Sequence, residues 1–373
     1  MKAIYILILL LITTIPVFSN SLVITDYHKT LDFTNKPVVY VQKGNNKLYK
    51  QLQFDHSSWK KISLPSSCDE AFPKWNGVCW YRIPIVFPKE LPISTVGISL
   101  GVISDIDEIY FNGYLIGKTG ELKPKRKSAY DRKRIYEISS KYIIPGNKNI
   151  IAIKVVGMFK GELGPFKGEF IIAPFKKLHK SYLLEDIWHL IFIVIYFFIS
   201  LYFCIVFMQS AFDFEYLYFS FFTLATSLYL FLRTQFKYFL YDNFNVLKKI
   251  EYFLLFSILI LMLEYITKYF RKKRTLIHYI YYAITILSII TLTFSSDIKL
   301  WNKILFYVVE PSWIIPIAYA FFISMVEFKT NKDAKYILFS FPIVWIILLN
   351  DILVDRGLYD FYMLSNFSFF III

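Results

Sequence analysis

Apolar residues fall into three regimes along this chain. A short run, Ile4 to Pro16, follows one basic residue, Lys2. From Ser21 to about Pro174, apolar and polar positions alternate over brief stretches separated by turn residues. Then come six long apolar stretches: Trp188 to Met208, Phe214 to Leu232, Tyr252 to Tyr269, Leu276 to Phe294, Ile304 to Val326 and Tyr336 to Val354. Each approaches the roughly 20 residues that a helix needs to cross the hydrocarbon core. A seventh begins near Met363 and reaches Ile373. Its roughly 11 residues would rise only about 16 Å, half a bilayer.

The middle regime predicts strands. Val96 to Val102 is an apolar run broken by Gly97, Ser99 and Gly101. Glu108 to Phe111 and Tyr114 to Gly117 flank Asn112-Gly113, whose two residues tolerate positive φ and so predict a tight hairpin. Tyr142 to Ile144 leads into the turn Pro145-Gly146-Asn147, and the strand Ile150 to Val156 follows. Glycines recur at Gly161, Gly164 and Gly168. Short strands with turns at such intervals predict an antiparallel sandwich.

The first twenty residues have the pattern of a secretory signal, with Val17-Phe18-Ser19 as the small-residue site for cleavage after Ser19. The expected organisation is a signal peptide at 1–19, a β-sandwich at 20–175, a charged linker at 176–187 and a seven-helix membrane region at 188–373, incomplete at its C-terminal end. Export bears on Cys68 and Cys79, eleven residues apart in the sandwich, which form either a disulfide or two separate thiols. Cys204 lies in the first span and is expected to pack. No spacing suggests a metal site, a cofactor or a phosphate-cradling glycine loop.

Composition agrees with a membrane protein: 56% of residues are hydrophobic and mean hydropathy is +0.47. The charge is uneven. Ser21 to Ile187 carries 26 Lys plus Arg against 16 Asp plus Glu, whereas Trp188 to Ile373 carries 15 against 12. The sandwich is the basic part, suited to anionic ligands or surfaces, although lysine-rich solvated surfaces have the same composition. Nothing in the composition or the motifs points to nucleic acid as a partner.

Trp80-Tyr81-Arg82, the run Gly101 to Gly113 and Ile116-Gly117 together resemble the galactose-binding-like jelly roll. The resemblance implies an all-β sandwich, used among relatives for sugar binding, adhesion or structure alike. On that fold Arg82 lies on a strand neighbouring Asp105, Asp107 and Glu108. Those carboxylates and Arg82 are candidate ligand contacts, with Trp75 and Trp80 as stacking surfaces. The alternative is structural: Asp105 and Asp107 cap a turn, Arg82 pairs with one of them and Trp80 is core. A second candidate is the basic run Lys118, Lys123, Lys125, Arg126, Lys127, Arg132, Lys133 and Arg134, which can hold phosphate or carboxylate or simply face water.

An exported sandwich sends the first span from outside to inside. The basic loop Lys268, Arg271, Lys272, Lys273 and Arg274 is then cytoplasmic, as the positive-inside rule expects. Ionisable residues inside spans are few and informative. Arg233, Glu251, Glu310, Asn350 and Asp351 all fall towards the outer face and form a candidate polar cluster, with Arg233 as partner to Glu251 or Glu310. Glu264 is expected to snorkel, and His189 and His278 to lie unpaired near span ends. Pro311, Pro316 and Pro342 are candidate kinks.

As a whole the layout resembles bacterial seven-transmembrane receptors with diverse intracellular signalling modules. Glu215 to Ser220 opening the second span, and Asn350 to Val354 followed by Gly357, support the likeness. It implies a receptor in the bacterial inner membrane with its N-terminal domain extracytoplasmic. It would bind an extracellular small molecule, carbohydrate or anionic, and signal to a cytoplasmic effector such as a kinase, cyclase or phosphatase. No motif of those effectors stands in this sequence, so no catalytic residue is expected. A transporter or channel, or a non-signalling remnant or scaffold, is the alternative.

Overall fold

In a computed structural model, the residues described are 21–73, 75, 77–90, 95–122, 127–158, 163–355, 358 and 364. The expected signal peptide, Lys123, Lys125, Arg126 and nearly all of the expected seventh segment lie outside them. The chain divides into two compact units, 1–181 and 182–373.

The first unit is a sandwich of two sheets. One has the order β4 (Lys60–Ile62), β3 (Val39–Lys43), β5 (Val78–Val86), β10 (Lys148–Val156), β7 (Ile106–Phe111) and β8 (Tyr114–Thr119), with β1 (Leu22–Val23) parallel to β5. The other is β2 (Leu31–Asp32), β11 (Gly164–Pro174), β6 (Val96–Ser104) and β9 (Lys133–Ile138). Period-two alternation sorts the side chains. Cys79, Tyr81, Ile83 and Ile85 of β5, with Ile151, Ile153 and Val155 of β10, face Ile98, Leu100, Phe170 and Ile172 in the main core. Each fully buried aliphatic or Phe side chain there contributes about 1.5–3 kcal/mol. The opposite face of the larger sheet buries Tyr40, Trp59, Trp80, Ile150 and Ala152 in a second, smaller core.

The hairpin forms where expected. Asn112 and Gly113 take φ of 49° and 90°. The Asn112 amide donates to the Tyr142 carbonyl and to Asn149, and its oxygen accepts from Ile150 N–H, tying the turn to β10. Ser140–Tyr142 is a short 3-10 turn ahead of Pro145-Gly146-Asn147. Cys68 and Cys79 form a disulfide, both sulfurs buried in the main core.

The second unit is helical: α1 (Phe175–Gln209, beginning in the first unit), α2 (Phe214–Arg233), α3 (Phe244–Tyr269), α4 (Leu276–Phe294), α5 (Ile298–Val326) and α6 (Lys332–Asp355). Among the described residues, α1, α2, α4 and α5 are long and apolar enough to cross a membrane. The expected charged linker, 176–187, is the beginning of α1. Inside α5 the stretch Leu305–Val309 is a π-helical turn, with Glu310 N–H donating to the Leu305 carbonyl. Pro311 accounts for it, since its ring and missing N–H disrupt the ordinary ladder and one widened turn restores the bonding.

Candidate functional site

Alternation along β5 sends Arg82 to the outer face of the larger sheet, beneath the segment 44–59. There it is wholly buried. Its guanidinium donates to the carbonyls of Tyr49, Gln51 (3.0 Å) and Phe54 (3.2 Å), and Nε donates to His56 Nδ1 at 3.3 Å. Phe54 and Trp59 lie against its plane. Burial pushes Arg82 down to about 10. Burial, followed by the charge of Arg82, pushes His56 down to about 4. Arg82 is therefore a clamp on carbonyl groups, and it makes neither the expected carboxylate pair nor an exposed ligand contact. Trp80, offered by the sequence as a stacking surface or as core, is core: it is 2% exposed and stacked on Tyr110, and among the described residues its buried indole N–H meets no acceptor.

Asp105 and Asp107 are buried as well. Asp105 accepts from Ser128 Oγ (2.8 Å) and from Met158 N–H (2.7 Å), joining two loops at one end of the sandwich. Asp107 lies on the inward side of β7 with Ile109 and Phe111, and accepts from Arg134 Nε (2.8 Å) and Tyr136 Oη (2.7 Å). Arg134 is 1% exposed and also donates to the Ala129 and Arg132 carbonyls. Burial pushes the Asp107 carboxyl upward, against the pull of Arg134 and Tyr136. Arg134 belongs to the basic run that the sequence reads as holding an anion or facing water, yet it is buried and holds the internal Asp107 carboxylate. The signal that singles it out is its alternation with Tyr136 and Ile138 on β9, which places it on the core side.

The accessible charges are others. Glu108, on the outward side of β7, accepts from Tyr110 Oη (2.7 Å) and Lys154 Nζ (3.1 Å), with Lys118 opposite it on β8. Burial raises the Glu108 carboxyl, but the bonds from Tyr110 and Lys154 together hold it below its ordinary value. Lys127 is half-buried and reaches Glu121 at 3.5 Å. A shallow cleft of about 370 Å³ beside the disulfide is lined by Lys60, Ser66 and Glu70 among others. There Ser66 already donates to Glu70 and Lys60 to the Ala71 carbonyl.

In the helical unit, Arg233 and Glu251 come together at 3.7 Å. Two further cations join them, Lys248 Nζ at 2.8 Å and the buried Lys237 Nζ at 4.0 Å from the Glu251 carboxylate. Glu310 is buried at the π-helical turn, and Asn350 donates to Asp351 at 2.8 Å. At the other end of α3, Glu264 does not snorkel. It is buried, takes two bonds from Arg274 (2.9 and 2.8 Å) and another from Tyr282. His278 is not unpaired either. Thr275 N–H donates to its Nδ1, so the proton sits on Nε2, which faces Thr267 Oγ1 at 2.8 Å.

Residues 185–373, just over half of the chain, match the family described as 7TM diverse intracellular signalling. The chain belongs to that family. A search of the curated proteins returned no match. Similar solved structures include a beta-glucuronidase from glycoside hydrolase family 2, with 18% identity and TM-score 0.33 over 40% of this chain and 18% of that one. A beta-glycosidase from Bacteroides vulgatus is similar at 20% identity and TM-score 0.32, over 39% of this chain and 20% of that one. The chain spans about a fifth of the length of each, and the likeness carries nothing about activity. Within this member of the 7TM signalling family, two groups of charges lie near the ends of α3, one around Glu251 and one around Glu264.

Proposed function

We propose that this protein is the signal-input part of a membrane sensory receptor. Its β-sandwich binds an extracytoplasmic small molecule, and its helices pass the change to a cytoplasmic effector. The observation that supports this is the succession, in one chain, of a basic β-sandwich and a helical unit of the 7TM signalling family. On the sandwich, the ligand-facing groups are Glu108, Lys154, Lys118 and Lys127, because Arg82, Asp105 and Asp107 are buried in internal bonds. Two lysines flanking one carboxylate suit an anionic sugar or another small acid, with Glu108 accepting from hydroxyls. Catalysis is no part of this proposal.

The full chain in detergent is screened by thermal shift against neutral sugars, uronic acids and simple organic anions. A compound that stabilises the protein, and loses its effect in Lys154→Met with Glu108→Gln, supports the proposal. Stabilisation that survives both substitutions moves the ligand site elsewhere. No stabilisation by any of the three classes removes the small-molecule ligand proposed here.

A further inference from the structure

At one end of the helical unit, two loops are tied to each other. Tyr269 Oη donates to Asp333 at 2.5 Å, and Lys272 Nζ meets Glu327 at 2.5 Å. These contacts place the turn after α3 beside the turn before α6. Lys268, Arg271 and Lys273 on the first, with Lys329, Lys332 and Lys335 on the second, are all exposed. The segments at this end, 213–215, 264–274 and 327–335, hold eight cations against five carboxylates. Two of those carboxylates, Glu264 and Glu327, are held by Arg274 and Lys272.

Apolar surface adjoins both loops. Leu276 and Tyr279 at the start of α4 are exposed, as are Met325 and Val326 at the end of α5. The two helices touch through His278 and Tyr319, whose ring centroids are 4.7 Å apart. An excess of cations above exposed apolar helix ends matches a molecule with an anionic head and hydrocarbon chains. Basic pockets between membrane helices take such headgroups, and lysine ammonium groups hold phosphate oxygens through charge-assisted bonds.

We infer that the paired loops 268–274 and 327–335 form a binding site for the phosphate headgroup of an anionic phospholipid. Lys273, Lys329 and Lys332 contact the phosphate, and the ends of α4 and α5 contact its chains. The Lys272–Glu327 and Tyr269–Asp333 contacts keep the two loops at the separation one headgroup can bridge.

The test offers the full chain, purified in neutral detergent, equal amounts of phosphatidylglycerol and phosphatidylcholine, and counts retained lipid by native mass spectrometry. Phosphatidylglycerol should be retained in preference. The triple variant Lys273→Gln, Lys329→Gln, Lys332→Gln should lower its occupancy about tenfold or more, since each basic group near an anionic headgroup is worth roughly fivefold. Phosphatidylcholine occupancy should not change. Lys299→Gln with Lys303→Gln, at the opposite end of the unit, should leave both lipids as they were. Equal retention of the two lipids by the unaltered protein overturns the inference without recourse to any variant. So does an unchanged preference in the triple variant, an equal loss in the opposite-end variant, or displacement of the lipid by inorganic phosphate at matched concentration.

Discussion

Arg82 shows how one buried cation can hold a segment that has almost no regular structure. Its donors satisfy three carbonyls of the stretch 49–54, which contribute no ladder bonds of their own. Arg82→Met therefore strips the charged donors from the partly buried carbonyls of Tyr49, Gln51 and Phe54, at a cost of about 2–4 kcal/mol. Arg82→Lys should not rescue it, because an ammonium cannot reproduce the planar fork. Limited proteolysis should cut within 44–58 in both variants and spare the unaltered chain; equal resistance would deny Arg82 this role. His56 beside it gives a pH dependence whose sign is fixed. Below its ordinary value of 6.5 the unfolded chain binds a proton that folded His56, held down to about 4, does not. Stability of the sandwich should accordingly rise between about pH 4 and pH 6.5 and be flat above. The amplitude is about 1–2 kcal/mol once partial solvent contact is allowed for. Unfolding midpoints across that range, in the unaltered chain and in His56→Phe, measure the contribution of this histidine, and the slope should shrink in the variant.

At the scale of elements, the short helix Cys68–Ala71 is tied to the large sheet by the Cys68–Cys79 disulfide, by the bond from Lys60 Nζ of β4 to the Ala71 carbonyl, and by packing on the core. Reduction should destabilise the sandwich by about 2–3 kcal/mol, the loop-entropy value for a closed ring of this size. A reductant should therefore lower the unfolding temperature of the unaltered chain and leave that of Cys68→Ala with Cys79→Ala where it already lies; no shift in the unaltered chain would make the disulfide dispensable. Elements were also where the sequence was most legible. Alternation and Asn112-Gly113 located β6, β7, β8 and β10, because those signals are local. Partnerships were less legible, since they depend on which strands become neighbours. Arg82 was expected opposite a carboxylate, yet the strand order puts β10 between β5 and β7, and the segment 44–59 covers it first. Arg134 was hidden inside a run of lysines and arginines although its place on β9 gives it a core-facing side chain. The sequence reads Glu264 as snorkelling and His278 as unpaired because their partners Arg274 and Thr267 stand across a turn from them.

For the whole molecule, charge is concentrated where a helical unit can use it. Glu251 gathers Arg233, Lys237 and Lys248 at one end of α3, and Glu264 gathers Arg274 and Tyr282 at the other. A single helix of 26 residues thus carries one buried carboxylate near each end. Helix α3 packs on α2 along much of their shared length, through Phe219 with Tyr265 among other pairs. If the sandwich senses and the helices transmit, the Glu251 group is the part of the transmitting unit with most to lose from rearrangement. Its three cations come from α2, the short helix Lys237–Leu240 and α3 itself. Glu251→Gln removes the carboxylate charge that Arg233, Lys237 and Lys248 share, so the balance between packed arrangements should shift. The expected outcome is specific to coupling. A ligand found by thermal shift should change amide hydrogen exchange along Phe244–Tyr269 in the unaltered chain. In Glu251→Gln that change should vanish while the ligand still binds the sandwich with its original affinity. Glu310→Gln and Asp351→Asn serve as comparisons at two further carboxyls of the unit. If Glu251→Gln leaves the exchange response intact, Glu251 is structural and coupling runs through other contacts. If ligand affinity falls along with the response, the substitution has disturbed the fold, and the proposed transmitting role of this ion group fails.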